Sequence, residues 1–340
     1  MKCLAASLSL AAVGLTALGI GSAVAKEVNI YSYRQEFLIR PFLDKFTAKT
    51  GIKVNVVFAK KGMAKRIAAE GKNTKADAVL TVDISRLKRH ADKGLLQEID
   101  SSLLQKNIPA HFRDPKGQWF GLSKRVRILA VSKDRVKEGT IKRYEDLADP
   151  KWKGRICTRK GSHVYNRALL ASIIAHNGEQ AAEQWAKALV SNLARKPQGN
   201  DRAQAKAVYQ GLCDVALMNN YYFGKMKFNK KKPVQQKWAK SLRLVFPNQA
   251  DRGTHINISG AGVTKYAKNK ANAVALIEFL SEPEAQFMYA ERNYEYPIRS
   301  SVKISNEVNS WGKFTGDRLP LGKIADLSPM AQKIIDRVGW

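Results

Sequence analysis

The stretch "EVNIYSYRQEFLIRPFLDKFTAKTG", residues 27–51, changes period part way along. Val28 to Tyr31 reads as a short strand. Leu38, Phe42, Leu43 and Phe46 then recur at helical spacing, and Gly51 ends the run. The next segments repeat the alternation. "IKVNVVFA" (52–59) is a β-branched strand, "GMAKRIAAEGK" (62–72) a short helix, and "ADAVLTVD" (76–83) a buried strand leading into a helix over 85–93. A β-α-β-α-β order of this kind predicts an α/β lobe with a largely parallel sheet.

Working outward, residues 119–136 ("WFGLSKRVRILAVSKDRV") form an extended segment of alternating apolar residues. A strand is expected at Arg155–Thr158, then two helices broken near Gly178, a helix ending at Gly211 and a strand over Cys213–Met218. That makes a second α/β unit. A further strand, a helix from near Lys270 and another after Pro283 complete the pattern. There is no internal repeat and no low-complexity linker, which predicts lobes joined by crossing strands with a ligand cleft between them.

At the front, Lys2, the uncharged apolar run Leu4–Ile20 and the small-residue site Ala23-Val24-Ala25 read as a signal peptide cleaved near Ala25. A mature chain of 315 residues (340 less 25) is long enough for two domains with cores. No later stretch is apolar enough to span a bilayer. Once Cys3 is removed, Cys157 and Cys213 remain. In an oxidising compartment such a pair invites a disulfide, with two buried thiols as the alternative. The formal charge of +30 favours anionic partners, yet the basic residues are scattered through every segment. The densest run, "KFNKKKP" from Lys227, is short and carries no nucleic-acid motif.

Catalytic signatures are missing. The sequence contains no G-x-S-x-G, H-E-x-x-H, Walker loop or G-x-G-x-x-G, and its histidines and cysteines lack metal or redox spacing. This is not the sequence of an enzyme. The tyrosines stand out instead. Tyr221 and Tyr222, in "MNNYYFGKM", follow a predicted strand. Tyr165 follows another and opens a helix. Both places are carboxyl ends of strands, where α/β ligand sites gather. Phenolate is a hard anionic oxygen donor suited to a trivalent ion. With a free pKa near 10, it coordinates at neutral pH only when the metal and nearby cations displace the proton. Paired tyrosines also simply pack or hydrogen-bond, so this chemistry alone leaves both readings open.

The chain resembles the ferric-ion-binding proteins of bacterial ABC iron importers, the FbpA/FutA type of periplasmic solute-binding protein. The likeness rests on "YSYRQEFLI", "GIKVNVVFA", "ADAVLTVDISRL", "NIPAHFRDPKGQWFGLSKR", "SNLARKPQGNDR", "NISGAGV" and "NKANAVALIEFLSEPEAQ", in family order through nearly the whole mature chain. It implies the two-lobe type II solute-binding fold, hinged and closing over Fe(III). Tyr165, Tyr221 and Tyr222 match the family's iron tyrosines, and Tyr33 is a candidate fourth ligand. Where many members carry histidine after the first strand, this chain has Gln35 and Glu36. That departure resembles the subclass that uses three tyrosines and a synergistic carbonate or other anion. Arg34 and Gln35 would then hold the anion, with Arg125 and Arg127 as further candidates, since guanidinium clamps planar oxyanions through paired hydrogen bonds. Cys157 and Cys213 match the subclass, which strengthens the disulfide.

The resulting expectation is a monomeric periplasmic protein that delivers Fe(III) to a cognate inner-membrane ABC permease, with a small anion as its other partner and no nucleic acid. Residues 26–124 and 249–299 would form the amino-terminal lobe, and 125–248 and 300–340 the carboxyl-terminal lobe. The rival readings are a periplasmic protein for a small oxyanion without metal and a surface adhesin that uses its basic face.

Overall fold

The computed structural model describes residues 26–340, so the expected signal peptide lies outside the described residues. The opening stretch folds as its periodicity predicts. Strand β1 (Glu27–Ser32) leads into the helix Glu36–Thr50, whose Ile39, Phe42, Leu43 and Phe46 are buried. Gly51 ends that helix with a left-handed φ of 72° and returns its N–H to the Thr47 carbonyl. Strands β2 (Lys53–Phe58) and β3 (Ala78–Thr81) pair parallel with β1 on its two sides.

The expected strand over 76–83 is trimmed at both ends for identifiable reasons. Asp77 accepts hydrogen bonds from the Asn29 and Asn269 amides, and Asp83 caps the helix Ile84–Asp92 by accepting from the Arg86 N–H. Asp and Asn thus take up backbone groups that a longer ladder would have used.

The long extended segment becomes strand β4 (Phe120–Ser132), and it does two jobs. Its first half, up to Val126, runs antiparallel to β8 (Ile256–Val263) and touches β9 (Tyr296–Pro297). From Arg127 onward it pairs with β6 (Val215–Asn219) and β7 (Leu242–Val245). Strand β5 (Ile156–Cys157), shorter than the expected Arg155–Thr158, lies parallel to β6. The main path of the sheet is therefore β2-β1-β3-β8-β4-β6-β5, with β7 and β9 branching from β4. Only the amino-terminal trio and the β5–β6 pair are parallel, so the sheet as a whole is more mixed than the alternation suggested.

The two helices expected around Gly178 are Val164–Asn177 and Glu179–Ser191. The last helix, Ser328–Val338, packs on both of them, while Leu321–Asp326 packs against Ile84–Asp92 as well as Val164–Asn177. The disulfide Cys157–Cys213 is formed and ties β5 to the turn that enters β6. Among the described residues no helix is long and apolar enough to cross a membrane.

Candidate functional site

Four strand-to-helix crossings converge. β1 runs into Tyr33, Arg34 and Gln35; β3 into Val82 and Asp83; β5 into the loop before Tyr165; and β6 into the helix Asn220–Lys227. Each crossing is at the carboxyl end of its strand, the place where such sheets leave a crevice. A cavity of about 160 Å³ lies there, lined by Tyr33, Arg34, Gln35, Arg125, Tyr165, Tyr221 and Tyr222, and also by Arg202, Lys225 and Glu295.

Tyr221 and Tyr222 reach the cavity together because they occupy the first turn of a helix, not a strand. Their ring centroids lie 4.5 Å apart at a 30° tilt. The Tyr221 hydroxyl donates to the Tyr165 hydroxyl at 3.0 Å. Gly224 lets the helix come this close to its neighbour, since a Cβ there would sit 2.4 Å from the Tyr294 ring.

Each of these phenols has a guanidinium beside it. Arg125 lies 5.8 Å from the centre of the Tyr221 ring, Arg202 5.0 Å from that of Tyr222, and Arg159 and Arg127 5.2 and 5.9 Å from that of Tyr165. These cations favour a phenolate. Burial opposes it. Burial, then the neighbouring phenols, push Tyr221 well above its ordinary value, and burial followed by the Asp201 charge pushes Tyr222 up to about 12. Without a bound cation both are protonated at neutral pH. A hard cation placed among these oxygens would release those protons. Among the described residues no group of three or more His, Cys, Asp or Glu gathers to offer another metal cradle.

The guanidiniums are held by an acid that the sequence reading missed. Asp201 is fully buried and accepts from Arg127 Nη1 at 2.7 Å, Arg159 Nη1 at 3.0 Å and the Asn219 N–H at 2.8 Å. Burial would raise its pKa, but the charges of Arg127 and Arg159 outweigh burial and lower it. Arg127 also donates to Asn219, Asn166 and the Leu217 carbonyl. This corrects the expectation for Arg127. It does not line the cavity, and both of its terminal nitrogens are committed to protein acceptors, so it fixes the floor of the tyrosine cluster instead of clamping an anion.

The opposite wall also holds a missed acid. Glu295 receives Arg34 Nη2 on both oxygens, at 3.0 and 2.9 Å, and the Ser123 hydroxyl. Burial acts to raise its pKa, yet Arg34 and Arg125 prevail and hold it at about 2. Arg34 and Arg125 both donate to Ser259 Oγ, and Arg125 reaches the Val82 carbonyl. Arg34 Nη1 remains buried without a protein partner. Gln35 is exposed at the start of Glu36–Thr50 and makes no side-chain cap, which leaves first-turn amides of that helix open. Glu36 turns away to Arg40 on the outer face. Tyr33 lines the cavity and packs under Arg86, whose Cζ is 4.7 Å from the ring centre. Burial raises its pKa, while the Ala64 backbone N–H and the Arg86 charge oppose this. Lys225, also overlooked, has no hydrogen-bond acceptor among the described residues and is drawn down to about 8 by burial.

Signals for the missed residues existed in part. Asp201 and Arg202 end the motif "QGNDR", just where Asn200 caps the helix Asp201–Tyr209. Glu295 is a lone acid in "NYEYPI", and nothing local marks it as buried.

A family model described as bacterial extracellular solute-binding protein matches residues 73–315. The chain is 44% identical over 316 residues to iron uptake protein A1 of Synechocystis sp., covering 93% of this chain and 88% of that one. The apo ferric ion-binding protein A of Pasteurella haemolytica superposes with a TM-score of 0.88 at 47% identity, over 93% of this chain and 98% of that one. A Trichodesmium protein (IdiA, FutA) solved in complex with iron and citrate gives a TM-score of 0.88 at 44% identity, over 92% and 99%.

Proposed function

The chain belongs to the bacterial extracellular solute-binding protein family, and from that membership and its tyrosine cluster we propose that it captures Fe(III) between two lobes for an ABC importer. The convergence of Tyr165, Tyr221 and Tyr222 on one cavity, with guanidiniums against their rings, carries this reading. These three supply phenolate oxygens to the metal. Tyr33, which lines the same cavity, is the candidate fourth ligand. The names of the related iron uptake and ferric-binding proteins point to the same cargo.

The other wall supplies the anion site. Arg34, Gln35 and Arg125 line the same cavity as the tyrosines, Arg34 Nη1 has no protein partner, and the helix Glu36–Thr50 starts beside them. A helix N-terminus and a guanidinium together suit carbonate or a carboxylate. Lys225 adds a cation beside them. Pairing with Glu295 takes up much of Arg34, so the clamp is less positive than its sequence suggested.

The lobes are proposed as 26–124 with 249–299, and 125–248 with 300–340. The support is the change of partner along β4, from Ile256 opposite Val126 to Asn219 opposite Arg127. Export to the periplasm accords with the family and with the disulfide, which needs an oxidising compartment. There the loaded monomer would pass its ion to the cognate permease in the inner membrane.

Ferric citrate with bicarbonate, added to purified protein, should produce a visible tyrosinate-to-iron charge-transfer band. The band should be lost in Tyr222→Phe. A colourless wild-type protein that retains no iron on desalting would leave the small-oxyanion reading in its place.

A further inference from the structure

The three strands at the crossing between the lobes show opposite characters on their two faces. Successive strand residues point to opposite sides. Ser123 and Arg125 of β4, Ser259 of β8 and Glu295 just before β9 are linked on the cleft side through Arg34 and their own hydrogen bonds, and Asn257 of β8 holds Asp83 there. Their chain neighbours Lys124, Ile256 and Tyr296 line a different cavity of about 860 Å³, together with Phe112 and residues from 300–318. Such a volume suits a small organic molecule, and the tyrosine site makes no use of it.

Several of its polar groups are unsatisfied. Lys124 has no hydrogen-bond or ion-pair partner among the described residues; its ammonium lies 5.5 Å from the centre of the Phe112 ring. The Tyr296 hydroxyl is buried without a partner. These two residues are directly opposed in the β4–β9 ladder, so their side chains are neighbours. Lys313 and Arg318 line the same cavity and also lack acceptors among the described residues. The carboxylate of the wall, Asp317, is already engaged by Ser172, His176 Nε2 and the Leu319 N–H. The rest of the lining mixes His111, Ser300 and Asn309 with apolar residues, among which Phe314 meets the Tyr296 ring in edge contact at 4.9 Å.

We propose that this hinge-side cavity binds a small amphipathic carboxylate, its apolar body against Phe112, Phe314 and Ile298 and its carboxylate on the Lys124 ammonium and the Tyr296 hydroxyl. An inorganic anion would leave the apolar wall bare. A neutral molecule would cover the half-buried Lys124 ammonium without pairing it, which is costly. The charge of Lys124, after burial itself, also holds His111 below its ordinary value, so the cavity's field is positive.

The probe is 3-phenylpropionate, titrated calorimetrically into the mature, iron-free protein. Saturable binding is expected, with 3-phenylpropanol at least ~10-fold weaker because it lacks the charge. Lys124→Met should weaken phenylpropionate by ~10-fold or more and Tyr296→Phe by a smaller factor. Tyr222→Phe should leave it unchanged. Wild-type circular dichroism and a wild-type melting transition in the Lys124 and Tyr296 variants check that they are folded. No saturable binding to wild type, equal binding of acid and alcohol, or indifference to both pocket variants overturns the proposal. No iron enters the titration, so the cleft reading and this one fail separately.

Discussion

Tyr221 and Tyr222 are neighbours in the chain and neighbours in the cavity, which a strand would forbid and a helix start allows. Their burial raises both pKa values, so on the proposed ligand set iron displaces a proton from each. Affinity should therefore fall as pH falls, by up to roughly 10²-fold per pH unit when these two phenols ionise on binding. Ferric-ion competition titrations between pH 8 and 5.5, with proton release followed in weak buffer, check this; a flat profile would remove the phenols from the metal. Asp201 offers a second case at this scale. Asp201→Asn leaves Arg127 and Arg159 buried with less than their counter-charge and should cost ~3–5 kcal/mol in urea unfolding. Glu295 gives a third. Its folded pKa of about 2 lies below its ordinary 4.5, so its contribution is complete above pH 4.5 and disappears as the pH drops toward 2. The stability gap between wild type and Glu295→Gln should narrow over that window in chemical denaturation. The place of Tyr221 and Tyr222 at a strand end was legible in the sequence because a doubled phenol after a strand is a local pattern, while their role as ligands came only from the family resemblance. Glu295 was not, because its meaning comes from Arg34, 261 residues away. Arg125 and Arg127 are two apart on one strand, and only their partners separate a cleft residue from a floor residue.

The helix Asn220–Lys227 carries the paired phenols, and two devices set its position. Gly224 admits the Tyr294 ring, so Gly224→Ala should push the helix outward, costing ~1–3 kcal/mol and weakening iron colour more than it lowers helix content. The disulfide fixes the start of β6 against β5, and with them the approaches to both tyrosine sites. Replacing Cys157 and Cys213 by serine should lower stability by ~2–4 kcal/mol, measured by thermal unfolding without reductant. An unchanged melting point would mean that the strands hold themselves. At this scale the alternation of periods revealed β1 to β6, β8 and the helices between and after them, but not β7, β9 or the helices Ser102–Asn107, Val234–Lys240, Asn306–Asn309, Leu321–Asp326 and Ser328–Val338. What it could not reveal was the pairing of β4. Trp119 to Val136 reads as one extended apolar segment, and nothing in that run announces that its partner changes between Val126 and Arg127. Pairing is a property of the chain brought from elsewhere, as is the mixed direction of the sheet.

Across the whole molecule the tyrosines and the anion clamp sit on opposite sides of the β4 crossing, a division that has a thermodynamic consequence. An ion that touches only the tyrosines gains nothing from closing the lobes, and a ligand shifts a conformational balance only by its differential affinity for the two states. Moving the balance from nearly all open to nearly all closed takes a preference of ~10⁴-fold. On the proposed site, that preference comes from contacts made on both walls at once: iron on Tyr165, Tyr221 and Tyr222, and its anion on Arg34 and Gln35. Small-angle X-ray scattering separates the contributions. Iron with bicarbonate should reduce the radius of gyration of wild type. Bicarbonate alone should not, and neither should iron with bicarbonate added to Tyr222→Phe. Gln35→Ala is exposed and so tolerable to the fold, and it should keep the colour. It removes about one hydrogen bond from the closed state, worth ~0.5–1.5 kcal/mol. Its compaction should therefore need several-fold more bicarbonate than wild type. Full colour with no change in radius at any bicarbonate concentration would place the anion elsewhere and deprive closure of its cause.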